Sequence, residues 1–172
     1  MNYGIGTIED YVTIKYNSSG IQQWVQRYDG SINASESPRS MAVDASGNVY
    51  VTGGSWGNGT SMDYATIKYN SSGIQQWEQR YNGGDYDNAS SVTVDMSGNV
   101  YVTGYSIGGL GSADCKTIKY NSSGIQQWVQ IYNGPGNSTD HGNSIAVDAS
   151  GNIYVSGSCQ VSSQDYLTIK YN

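Results

Sequence analysis

The octapeptide Asn17–Trp24, NSSGIQQW, returns unchanged at Asn70–Trp77 and again at Asn121–Trp128. Working outward, each copy is entered through Thr-Ile-Lys-Tyr-Asn, at Thr13–Asn17, Thr66–Asn70 and Thr117–Asn121. The same pentapeptide occurs a fourth time at Thr168–Asn172, so the spacings are 53, 51 and 51 residues. A second motif keeps step: VDASGNVYVTG from Val43, VDMSGNVYVTG from Val94 and VDASGNIYVSG from Val147. A period near fifty residues with alternating apolar positions and no 3.6-residue rhythm predicts the blades of a propeller rather than helical repeats.

Four strands can be read in each period. In the second, SVTVD (Ser91–Asp95) turns through Met96–Asn99 into VYVTG (Val100–Gly104). A loop leads to Cys115–Tyr120, and Asn121–Gly124 turns into Ile125–Tyr132. Asn, Asp, Ser and Gly in the two tight turns supply local side-chain hydrogen bonds and a residue tolerant of positive φ. NSSGIQQW is therefore a hairpin turn with the start of the next strand, repeated because every blade must meet the same neighbours. In strand Ile21–Tyr28, Trp24 and Tyr28 share a face with Gln22 and Gln26, which predicts aromatic packing between blades. Short, small-residue strands such as SMAVD and SIAVD suit the crowded axis and the Gln-rich strand suits the wet rim, giving strands A to D from axis outward. The expected fold is all-β, a β-propeller of four-stranded antiparallel blades. Residues 1–10 form a lead-in and 11–172 one repeat domain, with periods 11–63, 64–114 and 115–165 and the start of a fourth at 166–172.

SIAVDASGNIYVSG at Ser144–Gly157, DYLTIKYN at Asp165–Asn172 and GIQQWVQ at Gly124–Gln130 followed by YNG at Tyr132–Gly134 resemble the bacterial β-propeller repeat family labelled SBBP. The likeness covers nearly the whole chain after about Asp10. It implies the propeller fold and, because many members are secreted or surface-attached, an extracellular or surface-associated setting. It implies no activity and carries over no catalytic residue, since the shared motif is structural.

Composition agrees with a β protein: 16 Tyr, 4 Trp, no Phe, 23 Gly and only 2 Pro. Fourteen acidic against eight basic residues give a net charge of −6, with no basic stripe of the kind that neutralises phosphates, so no nucleic-acid partner is expected. No apolar run approaches the length of a membrane span, and Met1–Asp10 has neither the basic start nor the apolar run of a signal peptide. Cys115 and Cys159 are too few for a disulfide scaffold or a zinc site, and two free thiols are expected.

GGSWG at Gly53–Gly57 and GYSIG at Gly104–Gly108 match G-x-S-x-G, but a nucleophile elbow needs a following helix and a histidine base. His141 is the single histidine. The chain is expected not to be an enzyme. Asp44, Asp95 and Asp148 recur once per period at the end of strand A. They are candidate metal ligands around the axial channel, although an Asp opening a Gly-Asn turn is also what an Asx hydrogen bond requires. Asp85, Asp87 and Asn88 bring calcium-type oxygens to one loop, yet the loops DGSINASESPRS and NGPGNSTDHGNS do not preserve that acid spacing. No cofactor is expected, with calcium the one candidate ion. Because A–B and C–D are tight hairpins at one end of a blade, the variable B–C and D–A loops share the opposite face. Candidate ligand-binding residues there are Trp56, Asp85, Tyr86, Asp87, Tyr105, Asp140 and His141, a mixture of aromatic and acidic groups suited to a glycan or protein ligand.

Two functions follow: a structural or scaffold-type surface module without an active site, or a lectin-like binding module using the variable face. From Tyr11 the strand order is C, D, A-B-C-D, A-B-C-D, A-B-C, about three blades with one extra C strand. Three blades are too few to close. A homodimer completing a six-bladed ring is the expected assembly, with a nine-bladed trimer or a longer parent chain as alternatives. A far-ultraviolet circular dichroism spectrum is expected to be that of a β protein, and substantial helical signal would be incompatible with this reading.

Overall fold

A computed structural model describes residues 9–30, 32, 34–108 and 111–172, so the lead-in 1–10 lies outside the described residues except for Glu9 and Asp10. The strands are β1 (Tyr11–Tyr16), β2 (Gln22–Tyr28), β3 (Glu36–Val43), β4 (Val49–Trp56), β5 (Met62–Tyr69), β6 (Gln75–Tyr81), β7 (Tyr86–Val94), β8 (Val100–Ile107), β9 (Ala113–Tyr120), β10 (Gln126–Tyr132), β11 (Asp140–Val147), β12 (Ile153–Gln160) and β13 (Gln164–Tyr171). All pairings are antiparallel between consecutive strands. They make sheets of two (β1-β2), four (β3 to β6), four (β7 to β10) and three (β11 to β13) strands. Two four-stranded blades are thus flanked by a two-stranded and a three-stranded sheet.

Each turn is fixed by its own sequence. Asn70 Oδ1 accepts the Ser72 and Ile74 N–H groups at 3.0 and 2.9 Å, and Asn17 and Asn121 repeat the arrangement. The strand A edge bends at a bulge in each of the three sheets that have one, between Pro38 and Ser40, Ala89 and Ser91, and Gly142 and Ser144. Strand β7 packs against β3, β4 and β5, and β11 packs against β7, β8 and β9, so each A strand leans on the preceding sheet.

The core lies between sheets rather than within one. Tyr11, Tyr28, Val49, Val51, Ala65, Ile67 and Tyr69 fill the first junction. Tyr50, Tyr64, Val92, Val100, Val102, Ile118 and Tyr120 fill the second. Tyr101, Cys115, Ile145, Ile153, Val155 and Leu167 fill the third. Cys115 and Cys159 are both free, and burial pushes the Cys115 thiol up to about 11.

A single contact, used twice, joins these sheets. The Trp24 ring lies 6.2 Å from Tyr69, and its indole N–H donates to the Ser71 carbonyl at 3.2 Å, in the C–D turn of the next sheet. Lys15 Nζ donates to the same carbonyl at 2.9 Å. Trp77 repeats this on Tyr120 and the Ser122 carbonyl, with Lys68 alongside. A Cβ at Gly73 would come within 2.8 Å of the Trp24 ring, and one at Gly124 within 2.9 Å of the Trp77 ring, while both glycines also hold φ near +83°. The turn glycine serves the turn and clears a notch for the preceding sheet's indole.

Gly124→Ala is expected to destabilise the protein by at least ~1 kcal/mol, combining a left-handed backbone with a collision on Trp77. Trp77→Ala is expected to cost about 3–5 kcal/mol through the cavity it leaves. Chemical denaturation of both variants measures the effect, and Gly59→Ala is the comparison, since it has the same backbone strain with open space around its Cβ.

Candidate functional site

At the end of each sheet carrying the B–C and D–A loops, four aromatic side chains from three sheets line up. Trp56 closes β4, Tyr86 opens β7, Tyr105 sits on β8 and His141 on β11. Trp56 meets Tyr86 edge-on at 6.4 Å, Tyr86 stacks on Tyr105 at 6.3 Å and 16°, and Tyr105 stacks on His141 at 4.3 Å and 22°. All four are half-buried, which leaves part of each ring to solvent. Burial holds the His141 pKa below its ordinary value, with Asp140 pulling the other way. An aromatic row spanning blade boundaries offers flat surface to a ligand.

The acidic members of the candidate set separate by depth. Asp85 is exposed in the D–A loop, where it lines a polar hollow with Thr60, Ser61 and Asn82. Asp87 and Asp140 are fully buried beneath the aromatic row. Each pins its D–A loop, since Asp87 Oδ2 accepts the Gly83 N–H at 2.8 Å and Asp140 Oδ2 accepts the Gly134 N–H at 2.6 Å. Glu36 occupies the same place in the first full sheet, for Glu36, Asp87 and Asp140 pair across strand B with Ser55, Ser106 and Cys159. The acid spacing is therefore preserved in space. In the sequence the same acids stand eight residues before Asp44, Asp95 and Asp148.

Asp44, Asp95 and Asp148 sit at the opposite end, in the A–B turns. Asp95 Oδ1 accepts the Ser97 and Asn99 N–H groups, while Oδ2 accepts the Asn99 amide at 2.7 Å and the Tyr101 hydroxyl at 3.0 Å. Asp44 and Asp148 are bonded in the same way. Four donors occupy each carboxylate, whose lone pairs are thereby spent within the turn. These bonds hold all three carboxyls below the ordinary range against the opposing pull of burial, and Asp148 reaches about 2.

Ser55 and Ser106, the serines of the two G-x-S-x-G stretches, lie buried within β4 and β8 rather than on a strand-to-helix turn. Arg80 donates to Ser55 Oγ at 2.7 Å, and Lys116 Nζ donates to Ser106 Oγ at 3.0 Å.

Residues that the sequence reading did not single out also gather on this face. Asp10, Asp29 and Glu36 present carboxylate oxygens all within 4.8 Å of one another at the first junction. The signal was present: Asp10, Asp63, Asp114 and Asp165 each stand three residues before a Thr-Ile-Lys-Tyr-Asn motif.

The sequence profile of the beta-propeller repeat, SBBP, matches residues 23–59, 76–111 and 127–160. No curated protein sequence matches the chain. Among solved structures, a fucose lectin from Kordia zhangzhouensis, in complex with methyl-fucoside, is 16% identical with a TM-score of 0.47, covering 77% of this chain and 94% of that one. The periplasmic gluconolactonase PpgL of Pseudomonas aeruginosa is 15% identical with a TM-score of 0.46, covering 86% of this chain and 47% of that one.

A carboxylate whose folded pKa is depressed contributes stability that is present above its unfolded value, about 4, and is lost as pH falls through the folded value. The stability gap between the wild type and Asp95→Asn is therefore expected to be widest above pH 5 and to narrow below pH 4, as measured by thermal denaturation across that range.

Proposed function

Because the chain belongs to the SBBP beta-propeller repeat family, we propose that it is a non-catalytic propeller module whose function is structural and begins with self-assembly, two copies closing a six-bladed ring. The observation that carries this reading is an unmatched pair. Trp128 is the third copy of the inter-sheet tryptophan, yet its indole N–H has no acceptor among the described residues, and Lys119 has none for its ammonium. Conversely, the first turn has no tryptophan against it, and a Cβ at Gly20 would meet nothing within 4 Å. Trp128 of one copy fits the Ser18–Gly20 notch of the next.

The outer sheets support the same closure. Met41 is 54% exposed where its counterparts Val92 and Ile145 are 5% and 7% exposed, and Tyr166 is 101% exposed where Tyr64 is 0%. Val12, Ile14, Met41 and Val51 line a groove beside the unpaired edge of β1. Strands β11 and β12 of a second copy fill that groove as the missing inner strands, with β12 pairing to β1. In this arrangement β1 takes the C position, and β13 is displaced.

Light scattering is expected to give twice the chain mass of 18.5 kDa. Gly20→Val, which closes the notch, is expected to yield a folded monomer, whereas removal of residues 167–172 should leave the dimer intact. A wild-type monomer at micromolar concentration, or a Gly20→Val variant that dimerises as well as the wild type, would overturn the proposal.

A second reading is favoured by one observation, the aromatic row from Trp56 to His141: the loop face is a lectin-like surface for a glycan or protein ligand. Trp56→Ala and Tyr86→Ala are each expected to weaken binding at least tenfold on a glycan array followed by titration of any hit. No binding across a broad array would remove this reading and leave the assembly role untouched.

A further inference from the structure

Asp10, Asp29 and Glu36 come from three separate segments: the residue before β1, the residue after β2 and the first residue of β3. Two oxygens bound to one calcium at about 2.4 Å lie at most about 4.8 Å apart, and that is the span within which these three carboxylates gather. Clustered acids alone do not make a site, because on an exposed surface they simply remain hydrated. Here two of the three are not exposed. Glu36 is 1% exposed and the Asp10 side chain 7%. Glu36 Oε2 and Asp10 Oδ1 are buried with no hydrogen-bond partner among the described residues. Unpaired buried carboxylate oxygens cost free energy unless a cation meets them.

The neighbouring cations do not meet that need. Arg27 stands 3.6 Å from Asp10 Oδ2, but its side chain is 68% exposed, so the pair is screened by solvent. Arg80 donates to Ser55, Asp63 and the Tyr28 hydroxyl. Ser55 in turn gives Glu36 Oε1 a hydrogen bond at 3.3 Å, leaving Oε2 open. The repeats explain what is missing. At the second junction Asn82 replaces Asp29, Arg80 pairs with Asp63 at 3.1 Å, and the Lys116 ammonium sits on the Gly83 carbonyl and Ser106 beside Asp87. The residue in register with Lys116 at the first junction is Ala65, which is buried and uncharged. The first junction thus has one carboxylate more than the second and lacks its lysine.

We propose that Asp10, Asp29 and Glu36 form a divalent-cation site that takes calcium and locks the two-stranded sheet onto the next. The donors are all hard oxygens, which favours calcium or magnesium over zinc. Ligands drawn from three segments at irregular geometry favour calcium over magnesium, which demands a near-ideal octahedron. The site lies within one chain and is independent of ring closure.

The test is a calcium titration of the full chain followed by thermal denaturation and calorimetry, with terbium(III) luminescence sensitised through the neighbouring tyrosines as a second readout. At a hundredfold excess over the Kd, calcium is expected to raise the melting temperature by about 5 °C, and magnesium by less. Glu36→Gln, Asp10→Asn and the exposed Asp29→Asn should each weaken calcium binding at least tenfold, while Asp165→Asn should leave it unchanged. Ala65→Lys should raise the melting temperature without calcium and abolish the response to it. A wild type that shows neither a thermal shift nor terbium emission overturns the proposal, as does an affinity that Asp29→Asn leaves unchanged.

Discussion

The contact between one sheet's tryptophan and the next sheet's turn organises the molecule. An indole is large, flat and carries one donor, so burying it requires a shaped recess with an acceptor at one edge. The NSSG turn supplies both: the first serine's carbonyl accepts the indole N–H, and the glycine clears the space over which the ring lies. The octapeptide encodes the recess at its front and the occupant at its end. Its invariance follows, because changing the recess in one repeat spoils the seat of the tryptophan in the repeat before it.

The same constraint divides the two faces. The end bearing the A–B and C–D turns is held by Asx hydrogen bonds and by the tryptophan recess, leaving little freedom to vary. The other end is free of that duty. Its loops differ in length and sequence, and they carry the aromatic row and the buried carboxylates of the sheet junctions. Chemical diversity is displaced to one rim by the packing needs of the other.

Much of this architecture was legible in the sequence because the periodicity, the turn residues and the strand alternation all pointed to one answer. The order A-B-C-D, the two-sided segregation of loops and the inter-sheet role of Trp24, Trp77 and Trp128 could be read without coordinates. The site was less legible. Trp56, Tyr86, Tyr105 and His141 are legible as loop-face residues, yet nothing local in the sequence announces that they stack in one row across three sheets. The loop sequences of Asp87 and Asp140 point to the exposed face, whereas both are buried, because burial at the start of an axial strand is decided by the adjacent sheet. Asp10 and Glu36 stand at fixed spacings, three residues before Thr13 and eight before Asp44, but a spacing does not say that strands from two sheets bring them together.

The interlocking of identical turns has an evolutionary corollary. Since the first two junctions offer the same recess to the same indole, a duplicated or deleted period of about fifty residues inserts or removes a blade without asking its neighbours for compensating substitutions. Copy number is then invisible to local recognition. What limits it is geometry, the angle each sheet adds around the axis, so that a gene built this way is free to change length by recombination and is held to account only when the circle must shut.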